Sequence, residues 1–86
     1  MGFWPKLKKK FDGGVEMTRK KWLHIFATNL IWAMNMNNVS QKELSIKTGI
    51  SENAISNYVH ENKEPKITNV IKMAKALNCD IHELIY

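Results

Sequence analysis

The run Ser40 to Tyr58, SQKELSIKTGISENAISNY, constrains the fold of this chain more than any other stretch. Ser40 stands where a helix N-cap is wanted, and Glu43, three residues on, completes a capping box. Leu44 is the inward anchor of that helix. Gly49 ends it, because glycine enters the left-handed region without a Cβ penalty. Ile50 plugs the turn, and Ser51 caps a second helix with Ile55, Tyr58 and Val59 inward at helical spacing. Between those apolar positions lie Glu52, Asn53, Ser56 and Asn57. The spacing thus predicts two short helices about a tight turn. The second carries an outer edge of amides and a carboxylate, groups that pair with base edges in a DNA major groove.

The pattern Gln41-x-x-Leu44-Ser45-x-x-x-Gly49-Ile50-Ser51-x-x-x-Ile55-Ser56 resembles the helix-turn-helix of the XRE family, of lambda repressor and Cro type. The similarity continues in register through Pro65, Ile67, Val70, Met73-Ala74-Lys75-Ala76-Leu77, Asp80-Ile81 and Glu83-Leu84, so it covers roughly residues 22–86. It implies an all-α, five-helix domain over residues 17–86, with the helix-turn-helix at about 41–60. It also implies a sequence-specific regulator of transcription, a repressor that binds a palindromic operator in double-stranded DNA as a homodimer. Glu52, Asn53 and Asn57 match the family's base-reading positions. Gln41 and Ser56 match backbone positions, and His60, Asn62 and Lys63 follow as candidate phosphate contacts. Ser51 is a backbone candidate as well as a cap, and Glu52 is also a favourable charge for a helix N-terminus.

Four positions depart from the family pattern. Met34 and Val59 stand where members often pair an arginine with a glutamate, and joint replacement by apolar residues is a tolerated exchange. Ser45 takes a site that favours alanine. Glu61 replaces the usual glycine after the second helix, and Asn62 is expected to take over the left-handed turn.

Net charge is +5, and residues 1–21 carry all of it: Lys6, Lys8, Lys9, Lys10, Arg19, Lys20 and Lys21 against Asp12 and Glu16. Residues 22–86 balance to zero. Residues 1–16 read as a basic aromatic arm, with Phe3, Trp4, Leu7 and Phe11 near helical spacing before the break at Asp12-Gly13-Gly14. Three readings stay open for it: an arm or aromatic strap packed on the body, lysines lying along DNA phosphates, or an amphipathic helix on a membrane surface. The first helix of the body should run from about Arg19 to Asn35, with Trp22, Phe26, Leu30 and Ala33 inward. Leu23, Ile25, Ile31, Trp32, Met34 and Met36 leave its other faces apolar, so it needs cover from Phe3, Trp4 and Phe11 or from a second subunit. Pro65 is expected to open a fourth helix with Ile67, Val70, Ile71, Ala74 and Leu77 inward. Asp80 and Glu83 begin a short fifth.

Other classes have less support. Trp22 to Gln41 lacks Lys, Arg, Asp and Glu, but His24, Thr28, Asn29, Asn35, Asn37 and Asn38 interrupt it, so no membrane span is expected. No secretory leader is expected either, and the single Cys79 fits a reducing, cytoplasmic setting. His24, His60, His82 and Cys79 show no metal-ligand spacing, and there is no Gly-rich phosphate loop or nucleophile elbow. No catalysis, metal, cofactor or small-molecule ligand is therefore expected. The rival is a protein–protein module of the same fold, antitoxin-like or anti-repressor-like, docking through its third helix or its apolar first helix.

Overall fold

Thr18 begins the architecture: its hydroxyl accepts the Lys21 N–H at 3.1 Å and caps α1, Arg19–Met36. The computed structural model describes residues 18–86. There α2 (Gln41–Thr48), α3 (Glu52–Val59), α4 (Ile67–Ala76) and α5 (Ile81–Ile85) follow α1, with no strand among the described residues. Over the described residues the domain is all-α with five helices, as the resemblance implies. The arm of residues 1–16, with Lys6, Lys8, Lys9, Lys10 and the proposed cover from Phe3, Trp4 and Phe11, lies outside the described residues.

Each helix contributes one stripe to a shared core. Phe26, Leu30, Ala33 and Met34 come from α1, Leu44 from α2, and Ile55 and Tyr58 from α3. Val70, Met73 and Ala74 come from α4, Leu77 caps it, and Leu84 comes from α5. Burying each of the larger side chains contributes about 1.5–3 kcal/mol. Helix α1 packs on α3 and α5, α2 on α3 and α4, and α4 on α5. Trp22 is half-buried and stacks on Phe26 with ring centroids 5.6 Å apart, while Phe26 meets Tyr58 edge-on at 6.3 Å. Met34 belongs to this core and the half-buried Val59 packs against it, so neither position carries a buried charge.

Three helices end alike. The residue after the C-cap is left-handed at Asn38 (φ 54°), Glu61 (φ 61°) and Asn78 (φ 53°). In each case the next N–H reaches back to the helix: Val39 to the Met34 carbonyl, Asn62 to Asn57 and Cys79 to Ala74, at 2.8–2.9 Å. This is the Schellman closure, which satisfies carbonyls that the helix leaves over.

Several expectations need correction. The left-handed turn after α3 belongs to Glu61 and not to Asn62, because the paired bonds Glu61 N–H to Tyr58 and Asn62 N–H to Asn57 place the reversal one residue earlier. Helix α4 opens at Ile67 and not at Pro65: the extended Lys66 is its N-cap, and the Lys66 carbonyl accepts the Val70 N–H at 3.0 Å. Its inward stripe is Val70, Met73, Ala74 and Leu77, at i, i+3, i+4 and i+7. Ile71 lies off that stripe and Ile67 at the helix end, and both are exposed.

Candidate nucleic-acid interface

The α2–α3 corner is closed by side chains as well as by backbone. Ser40 Oγ accepts the Glu43 N–H at 3.1 Å, and Glu43 Oε1 accepts the Ser40 N–H at 2.9 Å. That hydrogen bond from the Ser40 backbone holds the Glu43 carboxyl below its ordinary value of 4.5, aided by the Ser40 hydroxyl and by Lys47. Gly49 adopts φ 77°, and its N–H reaches the Ser45 carbonyl at 2.8 Å. Ser45 Oγ donates to the Ile50 carbonyl at 2.6 Å. Thr48 Oγ1 donates to the Leu44 carbonyl at 2.7 Å and accepts the Ile50 N–H at 3.1 Å. The chain therefore enters α3 at a fixed angle, with Ile50 buried beneath the turn.

Ser51 Oγ accepts the Ala54 N–H at 3.1 Å, so its hydroxyl oxygen is already used as the α3 cap. Ile55 and Tyr58 turn into the core, and Asn69 of α4 donates to the Tyr58 hydroxyl at 3.0 Å, which meets the polar end of that ring. Burial of one side of α3 leaves the other free. Glu52 and Asn53 are exposed, and Ser56 and Asn57 are half-buried along the same edge. Among the described residues, the side chains of Gln41, Glu52, Asn53, Asn57, Asn62 and Lys63 have no hydrogen-bond or ion-pair partner. Gln41 is half-buried at the start of α2, while His60, Asn62 and Lys63 are exposed in the loop after α3.

That loop is tied to α1. His24 Nδ1 lies 2.9 Å from Glu61 Oε2, and Arg19 Nε lies 3.2 Å from Glu64 Oε1. His60 folds back so that its Nδ1–H donates to the Ser56 carbonyl at 2.8 Å, leaving Nε2 outward. A left-handed non-glycine residue costs about 1–2 kcal/mol, and an exposed ion pair returns about 0.2–1 kcal/mol. The His24 pair therefore does not repay the backbone strain at Glu61. Of these features, the replacement of glycine by Glu61 is visible in the sequence, but its partner 37 residues away is not. The Ser45, Thr48 and Asn69 bonds likewise carry no local signal.

Nothing among the described residues resembles a reaction centre. No group of three His, Cys, Asp or Glu side chains could hold a metal ion there. Cys79 is half-buried, and burial, then Glu83 and Asp80, push its thiol up and keep it protonated. No described helix is long and apolar enough to cross a membrane.

A capped two-helix corner with one helix presenting an unengaged polar edge defines a helix-turn-helix protein. The helix-turn-helix family HTH_3 matches residues 30–84, and the chain belongs to that family, the XRE type of DNA-binding transcription regulator. The fold is similar to the high-resolution crystal structure of the restriction-modification controller protein C.AhdI from Aeromonas hydrophila. The TM-score is 0.69 at 22% identity, over 72% of this chain and 94% of that one. No curated protein sequence matches this chain.

Proposed function

We propose that the protein represses transcription as a homodimer on a palindromic operator, with one α3 helix in each of two major grooves about one turn, or about 34 Å, apart. One observation carries this reading: Ile55 and Tyr58 anchor α3 while Glu52 and Asn53 stand exposed and unengaged beside Asn57. Asn53 and Asn57 offer an amide that pairs bidentately with adenine N6 and N7, and Glu52 accepts from cytosine N4. Glu52 repels phosphates unless it meets such a donor, so its contribution is selectivity. Gln41 at the α2 N-terminus, with Ser56, His60, Asn62 and Lys63, supplies the backbone register. Ser51 serves as the cap and approaches the same strand. With Nδ1–H committed to Ser56, His60 donates to a phosphate through Nε2 when the ring is protonated.

Selection from random duplexes tests the reading. A preferred half-site should emerge, and Asn53→Ala should weaken it by about 1–3 kcal/mol, roughly 5- to 150-fold, with an unchanged melting temperature. A second reading, docking on a protein, draws on α1: Trp32 is 67% and Met36 66% exposed, with Ile31 beside them. Absence of any selected duplex at moderate salt favours that reading.

A further inference from the structure

The loop joining α3 to α4, residues 60–66, sets two carboxylates, Glu61 and Glu64, against two lysines, Lys63 and Lys66, and so balances to zero. Yet it carries Asn62, Lys63 and His60, the side chains that follow α3 and stand closest to its polar edge along the chain. Carboxylates facing a phosphate backbone would oppose binding. Both are engaged by basic side chains of the first two turns of α1: Glu61 by His24 at 2.9 Å and Glu64 by Arg19 at 3.2 Å. With Arg19 counted, the loop and its partner carry +1. Lys63 has no such partner among the described residues and stays available. The pattern is selective: the two acidic side chains of the loop are taken up and its two lysines are not.

We propose that Arg19 and His24 are positioning residues for DNA binding, which hold the Glu64 and Glu61 carboxylates against α1 so that the loop can approach phosphates through Lys63 and Asn62. This rests on the DNA-binding reading of the α3 edge. It also gives Glu61 a reason to occupy a left-handed position that glycine would fill without strain: the residue locks the loop to α1. The two side chains act on DNA through the carboxylates and not by touching it.

The test uses the full chain and the duplex that the wild-type protein selects, with fluorescence anisotropy at several salt concentrations. Arg19→Gln and His24→Gln should each weaken binding about threefold or more, with Tm held within about 2–3 °C because both pairs are exposed. Removing the matching carboxylate as well, in Arg19→Gln/Glu64→Gln and His24→Gln/Glu61→Gln, should restore wild-type affinity or better. Single variants that bind as the wild type does would overturn the proposal. So would paired variants that stay as weak as the single ones, because the two side chains would then be meeting DNA themselves. A wild-type protein that selects no duplex at all overturns the DNA reading and this proposal with it, an outcome distinct from the other two.

Discussion

Replacing Gly49 by alanine isolates the energy of the helix-turn-helix corner. The residue sits at φ 77° and ψ 2°, the left-handed region. A Cβ built there meets no heavy atom within 4 Å, so the substitution introduces strain and no collision. The penalty is therefore conformational, about 1–2 kcal/mol. The stiffer unfolded chain returns about 0.4–1 kcal/mol of it. A net loss of at most about 1.6 kcal/mol should follow, or no more than roughly 13 °C in Tm for a domain of this size. Thermal and urea melts followed by circular dichroism measure it, with equal m-values showing that both proteins unfold in the same way. Gly49→Asn should lose less, since asparagine tolerates the left-handed region better than alanine. The folded Gly49→Ala protein should keep its DNA affinity, because the hydrogen bonds of Ser45 and Thr48 still set the corner. A loss above about 3 kcal/mol would mean that the corner is packed against the new methyl group, and a clear gain in stability would mean that the turn is not left-handed. Either result would refute the reasoning.

Other perturbations have defined signs. Ser45→Ala removes the 2.6 Å bond to the Ile50 carbonyl and should cost about 1 kcal/mol in a urea melt. Tyr58→Phe leaves the Asn69 amide without its partner and should cost about 1–2 kcal/mol, again by melting. The folded state holds the Glu43 carboxyl below 4.5, so its contribution to stability is complete above that pH and fades as pH falls through the lowered value. Glu43→Gln should accordingly flatten the acid limb of a Tm-against-pH curve, while Glu43 intact should show the decline. If residues 1–16 lie along DNA, replacing Lys6, Lys8, Lys9 and Lys10 by glutamine should flatten the slope of log affinity against log salt by a few units, at about 0.9 per phosphate. An identical slope would assign the arm elsewhere.

What could be read from the residues alone follows how local each determinant is. Ser40 and Glu43 are three residues apart and Gly49 terminates its own helix, so the caps, the corner and the two short helices were legible. Phe26, Leu30 and Ala33 of α1 and Ile55 and Tyr58 of α3 were legible from helical spacing, whereas Met34, read as lying on another face of α1, is buried, and Val59, read as inward, is only half-buried. Helix α4 was harder: with isoleucine at 67 and 71 and methionine at 73, composition favours the wrong side chains, and the true stripe depends on where the helix begins. The proline at 65 pointed to an earlier start, whereas the extended Lys66 sets the first accepting carbonyl. The turn at Glu61 was misplaced by one residue because asparagine is the better left-handed residue. Intrinsic preference lost there to the closing bonds from Glu61 to Tyr58 and from Asn62 to Asn57. The ion pairs to α1 span the fold, and no pattern along the chain announces them.

The short length of α3 makes its readout a tertiary property. Eight residues are too few for a stable isolated helix in water, so Glu52, Asn53 and Asn57 are held in one register only by what lies behind them. Ile55 is fully buried, and Ile55→Ala should remove about 2–5 kcal/mol through the cavity it leaves. That is a large share of the roughly 4–13 kcal/mol available to a chain of 86 residues. The two faces of α3 should therefore fail in different ways. Ile55→Ala should lower Tm and lose DNA affinity in proportion to the unfolded fraction, so that cooling or a stabilising second substitution restores binding. Asn53→Ala should keep Tm and lose affinity at every temperature. If Asn53→Ala binding recovers on stabilisation as Ile55→Ala does, the outer edge is not a reading surface and α3 serves only the core.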